Sequence, residues 1–341
     1  MLNRYSVRLG GLPIWGLPIW GLPIWGLPIW GLTVWLIALA VIWPIMLVTC
    51  PPAVARTLLV GPTRHLAAPS AAAEIARYGD TIRIDPASYT DCAVWRAGHL
   101  TIAAAAPGVV LRDRVCQDTG IFVTVGDDIT IRGITFVGAR SRADNGAGIR
   151  AQGANLTLID TRFLDNQDGI LAAPNASSTI RVLDSEFRGN GTCEQACAHG
   201  IYINQVALLD IERSRFVDQH IGHHIKSRAR RTVLIDDTIM DGPEGTSSYL
   251  VDLPSGGDLL MRGCTLEKGP HSDNPLVAVT VGEEKQTNPT HRIEVLDNRF
   301  RNDMANPTIF LRNLTKVSAE LTGNQFSGPV VVLAGPGTIR K

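Results

Sequence analysis

The middle of the chain concentrates side chains that can transfer protons or bind acidic groups. His199, His223 and Tyr249 each stand two residues before an aliphatic residue in a short apolar segment, and Asp168 stands in the same place earlier in the chain. Further polar residues follow the aliphatic position of these segments or lie just beyond it: Arg150, Tyr202, Lys226, Arg228 and Asp252. If the segments lie side by side, all these residues form one polar surface.

Such a surface could abstract a proton from an acidic sugar. Cleavage of a uronate glycan by β-elimination, or inversion of its C5 centre, needs a base for a carbon-bound proton, a cation for the carboxylate and an acid near the glycosidic oxygen. We therefore predict His199 or His223 as the base and Tyr249 as the acid, with Asp168 in the same catalytic set. The predicted substrate-binding residues are Arg150, Tyr202, Lys226, Arg228 and Asp252, of which Lys226 with Arg150 or Arg228 would hold the uronate.

Other interpretations of these residues stay open. Stacked polar residues in repeat proteins often form ladders that only satisfy hydrogen bonds. A glycoside hydrolase would need two carboxylates flanking the scissile bond, and Asp168 with Asp252 is the pair that the sequence offers. His220, His223 and His224 suggest a metal site, but neighbouring residues of a strand face opposite ways, so we predict none there.

A repeat runs through most of the chain and supplies the elements that would position these residues. One segment type ends in a bulky apolar residue after a small or polar turn, as in Asp184-Ser-Glu-Phe187, and its copies end 24 to 34 residues apart. The end residues are Phe136, Phe163, Phe187, Phe216, Met240, Leu266, Phe300 and Phe326. A period of about 20 to 50 residues built from short strands is typical of a solenoid.

The second segment type precedes the first and holds the polar residues. Parallel strands stack about 4.8 Å apart, and successive residues of a strand point to opposite sides. We expect these residues to point inward: Ile121, Ile149, Ile170, Ile201, Ile225, Val251 and Leu311. The expected outward columns are Thr119, Ala147, Asp168, His199, His223 and Tyr249, and Phe122, Arg150, Leu171, Tyr202, Lys226, Asp252 and Arg312. A charged insertion near Gly282 to Pro289 interrupts the period, and we predict a loop there.

The repeat opens with a predicted helix, Ser70 to Tyr78, in which Ser70 is the expected N-cap and Glu74 reaches back toward the first turn. A short strand, Thr81 to Ile84, follows. This helix and the following Gly-Asp-Thr-Ile-Arg-Ile-Asp-Pro-Ala-Ser-Tyr resemble the capping start of proteins of the pectate-lyase-like superfamily. The resemblance covers Ser70 to the C-terminus and implies an all-β, right-handed parallel β-helix with a short N-terminal capping helix.

Three central segments resemble signatures of a group of bacterial exported right-handed β-helix repeat proteins: His199-Gly-Ile-Tyr202, Gly222-His-His-Ile-Lys-Ser-Arg228 and Ser247-Ser-Tyr-Leu-Val-Asp-Leu-Pro254. This resemblance implies a fold and export but no particular reaction. Calcium-dependent pectate lyases use acidic clusters with a downstream arginine, and mannuronan epimerases use a Tyr-Gly-Phe-Asp-Pro-His-Asp motif; the sequence matches neither. Calcium is the cofactor that the superfamily would allow, but no motif supports it, and we predict no cofactor.

The first 55 residues form a separate apolar segment. Gly-Leu-Pro-Ile-Trp occurs four times from Gly11 onward, and a proline in each copy opposes a continuous helix. The predicted membrane-spanning stretch is therefore Leu32 to Val48. Arg4 and Arg8 predict that the N-terminus stays inside and that the rest of the chain is exported. A retained transmembrane anchor and a cleaved signal peptide both stay open, because Ala53-Val-Ala55 also suits signal cleavage.

The cysteines agree with export. Disulfides form in oxidising compartments, and we prefer the pairs Cys92 with Cys116 and Cys193 with Cys197, which leaves Cys264 free. Cys-Glu-Gln-Ala-Cys could also belong to a zinc site, but no second pair has ligand spacing.

These observations predict a hydrophobic segment (residues 1–55), a linker (56–69) and one β-helix domain (70–341). The protein would be periplasmic and anchored in the inner membrane, or secreted if the signal is cleaved. Its predicted partner is a polysaccharide and not nucleic acid, because 32 Lys and Arg balance 32 Asp and Glu. The leading hypothesis is a lyase or epimerase acting on a uronate glycan. The alternatives are a non-catalytic glycan-binding or structural solenoid and a glycoside hydrolase.

Overall fold

Each turn of the chain consists of three short strands, and the turns stack along one axis. The computed structural model describes residues 55–341, so the predictions for the anchor or signal peptide lie outside the described residues. Within residues 55–341, the strands of three large sheets pair in parallel with the equivalent strands of neighbouring turns. The predicted parallel β-helix is thus confirmed.

Three sheets form the faces of this solenoid. The first, which we call the long sheet, contains Thr57–Val60, Thr81–Ile84, Thr101–Ala104, Ile129–Arg132, Leu156–Ile159, Asn175–Leu183, Val206–Glu212, Arg231–Ile235, Asp258–Arg262, Ile293–Leu296, Ala319–Thr322 and Gly337–Arg340. The phenylalanine sheet contains Ala87–Tyr89, Val109–Arg112, Ile134–Val137, Arg162–Leu164, Glu186–Arg188, Arg215–Val217, Thr238–Met240, Thr265–Lys268, Arg299–Asn302 and Gln325–Ser327. The histidine sheet contains Ala93–Trp95, Gly120–Thr124, Ala147–Ala151, Asp168–Ala172, Ile201–Ile203, Ile225–Ser227, Val251–Leu253, Val277–Val281, Thr308–Asn313 and Val330–Ala334.

Aliphatic stacks fill the interior behind the histidine sheet. Ile170 pairs with Ile201, Ile201 with Ile225, and Ile225 with Val251, and all four are fully buried. Burying an aliphatic side chain of this size contributes about 1.5–3 kcal/mol. The predicted in-register winding of this part of the chain is therefore confirmed.

The corner between the long sheet and the phenylalanine sheet explains the repeated Gly or Asp of the first segment type. The corner residue has a left-handed backbone in successive turns, with φ of 69° at Gly133, 51° at Asp160 and Asp184, and 70° at Gly263. Glycine adopts this conformation without strain, and Asp tolerates it better than most residues. The residue after the corner points inward and links turns; for example, the Thr161 N–H donates to Ser185 Oγ at 3.1 Å.

The phenylalanine sheet carries a column of stacked aromatic side chains. Phe136, Phe163, Phe187 and Phe216 follow one another with ring centroids 4.6–5.3 Å apart. Such a pair contributes about 0.5–1.5 kcal/mol beyond its buried area. The prediction that Met240 continues the column is wrong, because Ile239 pairs with Phe216 and Met240 lies one position further along.

The register prediction is also wrong by one residue at the second strand of the histidine sheet, Gly120–Thr124. Phe122, not Ile121, pairs with Ile149, and Val123 pairs with Arg150. Ile121 and Phe122 are both fully buried, so either residue satisfies an apolar pattern. The Phe122 ring packs against Phe136 with centroids 5.1 Å apart, which ties this strand to the aromatic column.

The N-terminal helix differs from its prediction in extent and capping. It spans Pro69–Ile75, its N-cap is Ala68, and no side chain caps it. Proline suits the first helical position because its φ is preset and its missing N–H would have no helical partner. The Ser70 N–H instead donates to the Asp91 carboxylate at 2.8 Å. The solenoid also extends into the predicted linker, since Thr57–Val60 pairs with Thr81–Ile84.

Two disulfides link residues close in the fold, Cys92 with Cys116 and Cys193 with Cys197, as predicted. The second closes a two-stranded antiparallel ribbon, Thr192–Cys193 with Cys197–Ala198. Cys264 is buried and free. Of the helices in residues 55–341, none combines the length and apolarity needed to span a bilayer.

Candidate functional site

The histidine sheet aligns the predicted site residues in two columns. Because the aliphatic residues pair in register, the residues two positions before them share one position on successive turns: Asp168, His199, His223 and Tyr249. The position after the aliphatic residue gives a second column: Val123, Arg150, Leu171, Tyr202, Lys226, Asp252, Thr280 and Arg312. We call seven adjacent residues the histidine face: His199, Tyr202, His223, Lys226, Arg228, Tyr249 and Asp252.

A repeated irregularity of the backbone brings the two columns to the same side. In a regular parallel strand, successive N–H groups point to opposite neighbours. Here the N–H groups of Gly200 and Ile201 both donate to the following turn, at 2.9 Å each, and those of His224 and Ile225 do the same. A Cβ at Gly200 would lie 2.5 Å from the His224 carbonyl oxygen, so glycine is required for this close approach. Residues three positions apart, such as His199 and Tyr202, can therefore contact each other.

The two histidine rings stack and accept hydrogen bonds from the backbone. Their centroids lie 4.7 Å apart. The His223 N–H donates to His199 Nδ1 at 3.0 Å, and the Tyr249 N–H donates to His223 Nδ1 at 3.2 Å. Burial lowers the pKa of His199 well below its usual value and that of His223 to about 3. Both rings are therefore neutral at neutral pH, and the assigned proton of each lies on Nε2.

Asp252 lies next to His223 and is nearly buried, with 3% of its surface exposed. Its Oδ2 lies 3.5 Å from His223 Nε2 and 4.0 Å from Lys226 Nζ, and its Oδ1 has no hydrogen-bond partner. Burial raises the pKa of Asp252 to about 7, although the Lys226 charge opposes the shift. A carboxyl group with this pKa and a free oxygen can accept and release a proton near neutral pH.

Two cations flank the ring of Tyr202. Lys226 Nζ lies 5.5 Å and the Arg228 guanidinium carbon 5.9 Å from the ring centroid. Arg228 also donates to the Tyr202 hydroxyl at 3.3 Å and to Ser255 Oγ at 3.0 Å. Cations within about 6 Å of an aromatic face are attracted to it. The ring and its hydrogen bonds thus hold two positive charges beside Asp252.

Tyr249 lies at the other side of His223, with ring centroids 5.0 Å apart. Its hydroxyl donates to Glu283 Oε1 at 2.9 Å and accepts from Arg312 Nη2 at 2.8 Å. Burial and the neighbouring Glu283 raise the pKa of Tyr249 to about 12, so the hydroxyl keeps its proton at neutral pH.

Sequence reasoning missed Glu283 and Glu284 and gave no site role to Arg312. Both glutamates lie in the charged insertion, which is a loop as predicted. Glu284 pairs with Arg228 at 2.8 Å and with Lys226 at 3.7 Å, while Glu283 pairs with Arg312. The charged residues that interrupt the repeat indicated a loop here. Nothing in the sequence, however, shows which face of the solenoid an inserted loop contacts.

Two predicted site residues lie on the turns that precede the histidine face. Asp168 is one turn before His199 and 1% exposed, and it accepts the His199 N–H at 2.7 Å. Burial raises its pKa to about 8, which makes it a neutral hydrogen-bonding group at neutral pH. Arg150 is one turn further away, and burial lowers its pKa.

The carboxylate pair of the glycoside-hydrolase alternative is not close enough in space. Asp168 is three turns from Asp252, about 14 Å along the axis at the usual strand spacing. That separation is too large for the paired carboxylates of a glycoside hydrolase.

The histidines of the metal hypothesis point in different directions. His223 contacts Asp252, His224 contacts the buried Asp241, and His220 borders a groove beside the phenylalanine sheet. Across residues 55–341, no group of three or more His, Cys, Asp or Glu side chains is arranged to hold a metal ion.

The groove beside the phenylalanine sheet has a volume of about 580 Å³ and contains none of the predicted site residues. Among its charged side chains, Arg301 is 54% exposed and contacts the nearly buried Glu267 at 2.9 Å. This pair joins two neighbouring turns of the phenylalanine sheet.

The fold and the site define a parallel β-helix with a polar, cation-rich face. No protein-family model and no curated protein matches the chain. Among solved structures, the chain is similar to the pectate lyase Pel9A, with 14% identity and a TM-score of 0.48 over 82% of this chain and 78% of that chain. It is also similar to a pectin methylesterase in complex with a hexasaccharide, with 9% identity and a TM-score of 0.38 over 80% of each chain. Both likenesses are too distant to bear on activity, and the fold is shown by the strand pairing itself.

Proposed function

We propose that the histidine face binds an acidic polysaccharide and removes a proton from one of its uronate units. The observation that carries this proposal is a nearly buried carboxyl group with a free oxygen, Asp252, that lies 4.0 Å from Lys226 and belongs to a cluster of cations and tyrosines. Lys226 and Arg228 would neutralise the uronate carboxylate, and the Tyr202 ring holds both cations in place.

In this proposal the base is Asp252 and not a histidine. His199 Nδ1 and His223 Nδ1 each accept a backbone N–H, which leaves only a protonated Nε2 on each neutral ring. A ring nitrogen in that state donates a hydrogen bond and cannot take up a proton. His223 instead directs Nε2 toward Asp252, and the two histidines hold the turns in register.

The reaction would transfer protons between Asp252, the uronate and Tyr249. Asp252 takes the proton from C5, while Lys226 and Arg228 stabilise the negative charge that develops on the uronate carboxylate. In an elimination, the C4–O bond breaks, a C4–C5 double bond forms, and Tyr249 gives its proton to the leaving oxygen. Arg312, 2.8 Å from the Tyr249 hydroxyl, stabilises the phenolate that remains. In an epimerisation, Tyr249 returns a proton to C5 from the opposite side.

Incubation with a panel of polyuronates tests this proposal, read by ultraviolet absorbance for new unsaturated ends and by NMR for inverted C5 centres. Asp252→Asn is expected to reduce turnover about 10²–10⁴-fold, the usual contribution of a positioned base. Asp113→Asn, a change of the same kind at an exposed corner far along the solenoid, is expected to leave turnover unchanged. Equal turnover by wild type and Asp252→Asn would remove Asp252 from this role.

A non-catalytic glycan-binding solenoid is the second candidate, and the histidine ladder favours it. Each histidine accepts a hydrogen bond from the next turn, as in ladders that only stabilise the coil. Binding of a polyuronate without any product, equally by wild type and Asp252→Asn, would select this candidate.

We further propose that the protein works in an oxidising, exported compartment. The two disulfides support this location, because cytosolic thiols are kept reduced. Fractionation of the native cells with the chain detected by antibody tests it, and recovery in the cytosol would contradict it.

A further inference from the structure

An acidic loop, residues 282–289, covers part of the histidine face. Glu284 accepts two hydrogen bonds from Arg228, Nη1 to Oε2 at 2.8 Å and Nη2 to Oε1 at 3.1 Å. This is the bidentate geometry with which arginine binds a carboxylate ligand. Lys226 Nζ lies 3.7 Å from the same glutamate. The carboxylate of Glu284 thus binds the same two cations, Arg228 and Lys226, that would bind a uronate.

The second loop carboxylate occupies the other end of the face. Glu283 accepts a hydrogen bond from the Tyr249 hydroxyl at 2.9 Å and pairs with Arg312. Tyr249 cannot give its proton to a leaving oxygen while it donates to Glu283. Adjacent residues of one loop therefore block both the carboxylate-binding cations and the proton donor.

The loop has a fixed base and a solvent-exposed tip. Asn288 is 9% exposed, and its side chain donates to the carbonyl oxygens of Arg228 and Ala229 at 3.0 and 3.1 Å. Residues 283–287 are exposed. Ion pairs with an exposed partner are weak because water and salt screen them. The Glu284 N–H also donates to the Pro254 carbonyl oxygen at 2.9 Å, and Gln286 Nε2 donates to the Leu314 carbonyl oxygen at 3.0 Å. Displacement of the tip therefore breaks these two hydrogen bonds besides the ion pairs, while the base stays in place.

We propose that the loop competes with a polyuronate ligand for the histidine face. The carboxylates of Glu283 and Glu284 occupy the positions at which two carboxylates of the ligand would bind. The inference rests on the proposed function, because it names a ligand for the same face and adds the step that regulates access to it. A polyanion with several carboxylates displaces both glutamates together, whereas a single small carboxylate replaces only one of them.

Titration calorimetry with oligogalacturonate tests the competition. Removal of both loop charges in Glu283→Gln/Glu284→Gln is expected to tighten binding about tenfold or more, since the ligand no longer displaces an anion. Glu244→Gln/Glu320→Gln removes the same charge at two exposed glutamates outside the face and is expected to change the affinity less than twofold. Equal affinities of the loop variant and wild type, or weaker binding by the loop variant, would overturn the inference while the binding function stands.

Trypsin cleavage after Lys285, at the exposed tip, provides a second measurement that does not depend on affinity. We expect saturating oligogalacturonate to accelerate this cleavage at least severalfold, and acetate at the same carboxylate concentration to have little effect. Protection of Lys285 by the oligosaccharide would show that the loop closes over the ligand and would contradict displacement. If no polyuronate binds to either protein, the proposed function fails and this inference fails with it.

Discussion

His223 and His224 are neighbours in sequence but belong to two polar regions of different design. His223 is part of the histidine face. His224 points to the opposite side, where its Nε2 lies 3.0 Å from Asp241 Oδ1 in a region that we call the buried ion cluster: His224, Asp241, Lys268 and Ser272.

In the buried ion cluster, both charged groups, Asp241 and Lys268, have hydrogen-bond partners. Asp241 also accepts hydrogen bonds from the Gly269 N–H at 3.1 Å and from the Ser272 hydroxyl. Lys268 is fully buried and donates to the carbonyl oxygens of Ser247 and Ser248. Burial alone would raise the pKa of Asp241, but the hydrogen bond to His224 and the Lys268 charge hold it well below its usual range. This carboxylate stays ionised and stabilises the fold.

The histidine face leaves its central carboxyl group with few partners. Asp252 Oδ1 has none, and the nearest cation, Lys226 Nζ, is 4.0 Å from Oδ2. A buried carboxyl group in this situation costs stability. The two regions thus differ in how they hold a buried carboxyl group. Asp241 is ionised and stabilised by its partners, whereas Asp252 is held at a cost in stability, the pattern expected where a fold gives up stability for chemistry.

The largest effect is expected from Asp241→Asn, which leaves Lys268 buried without its counter-charge. Breaking a buried ion pair in this way typically costs about 3–5 kcal/mol. Urea unfolding followed by circular dichroism measures the free energy of unfolding. Glu244→Gln, an exposed change on the same loop, is the control and is expected to stay within about 0.5 kcal/mol of wild type. A loss below about 1 kcal/mol for Asp241→Asn would show that the cluster does not depend on the charge.

Alanine at the two neighbouring histidines sharpens the contrast. His224→Ala removes a buried ring and a partner of Asp241, and we expect a loss of about 2–4 kcal/mol from the cavity and the unpaired carboxylate. His223→Ala removes a ring that is 12% exposed and leaves the Tyr249 N–H without its acceptor, and we expect a smaller loss of about 1–2 kcal/mol. Urea unfolding of both variants shows which one loses more free energy of unfolding. Equal losses would contradict the distinction between the two regions.

Asp252→Asn is expected to stabilise the protein at high pH. The pKa of Asp252 in the folded protein is about 7, above its usual value of 3.8. The folded state therefore binds this proton more tightly than the unfolded state, and the contribution of Asp252 to wild-type stability falls as pH rises from about 4 to 7. The variant lacks this penalty, so we expect no difference at pH 4 and a gain of about 1–2 kcal/mol at pH 8. Unfolding at both pH values measures it, and a variant less stable than wild type at pH 8 would refute the raised pKa.

The smallest effect is expected from Glu284→Gln. Its pair with Arg228 involves a glutamate side chain that is 47% exposed, so its loss should cost at most about 1 kcal/mol. The cost should vanish in about 1 M salt, where surface charges are screened. A salt-independent loss of several kcal/mol would mean that the loop is a fixed part of the fold, and it would weigh against displacement by a ligand.

Much of the fold could be predicted because its signals are local. Inward aliphatic residues, left-handed corners at Gly and Asp, and the period itself are all visible in short segments. The two register errors share one cause, since Ile121 with Phe122 and Ile239 with Met240 are adjacent apolar pairs. A one-residue slip leaves the apolar pattern intact, and only the neighbouring turn selects the register.

The candidate site could be predicted in part. The columns that contain His199, His223 and Tyr249 follow from the winding, whereas the sequence did not show that Asp168 is buried one turn before His199 or that Arg150 lies a turn further away. Glu283 and Glu284 could not be placed, because an insertion is free of the repeat and its path depends on contacts such as Asn288 with Arg228.

The amino-acid sequence by itself determined the winding of the chain, since a strand's alternation and a corner's conformation depend on residues a few positions apart. The tertiary structure alone decided which charges meet and which groups hold a proton. The pKa of Asp252 and the blocked hydroxyl of Tyr249 both depend on burial and on residues from other turns. Those surroundings exist only after the turns have stacked, because electrostatic interactions act through space and not along the chain.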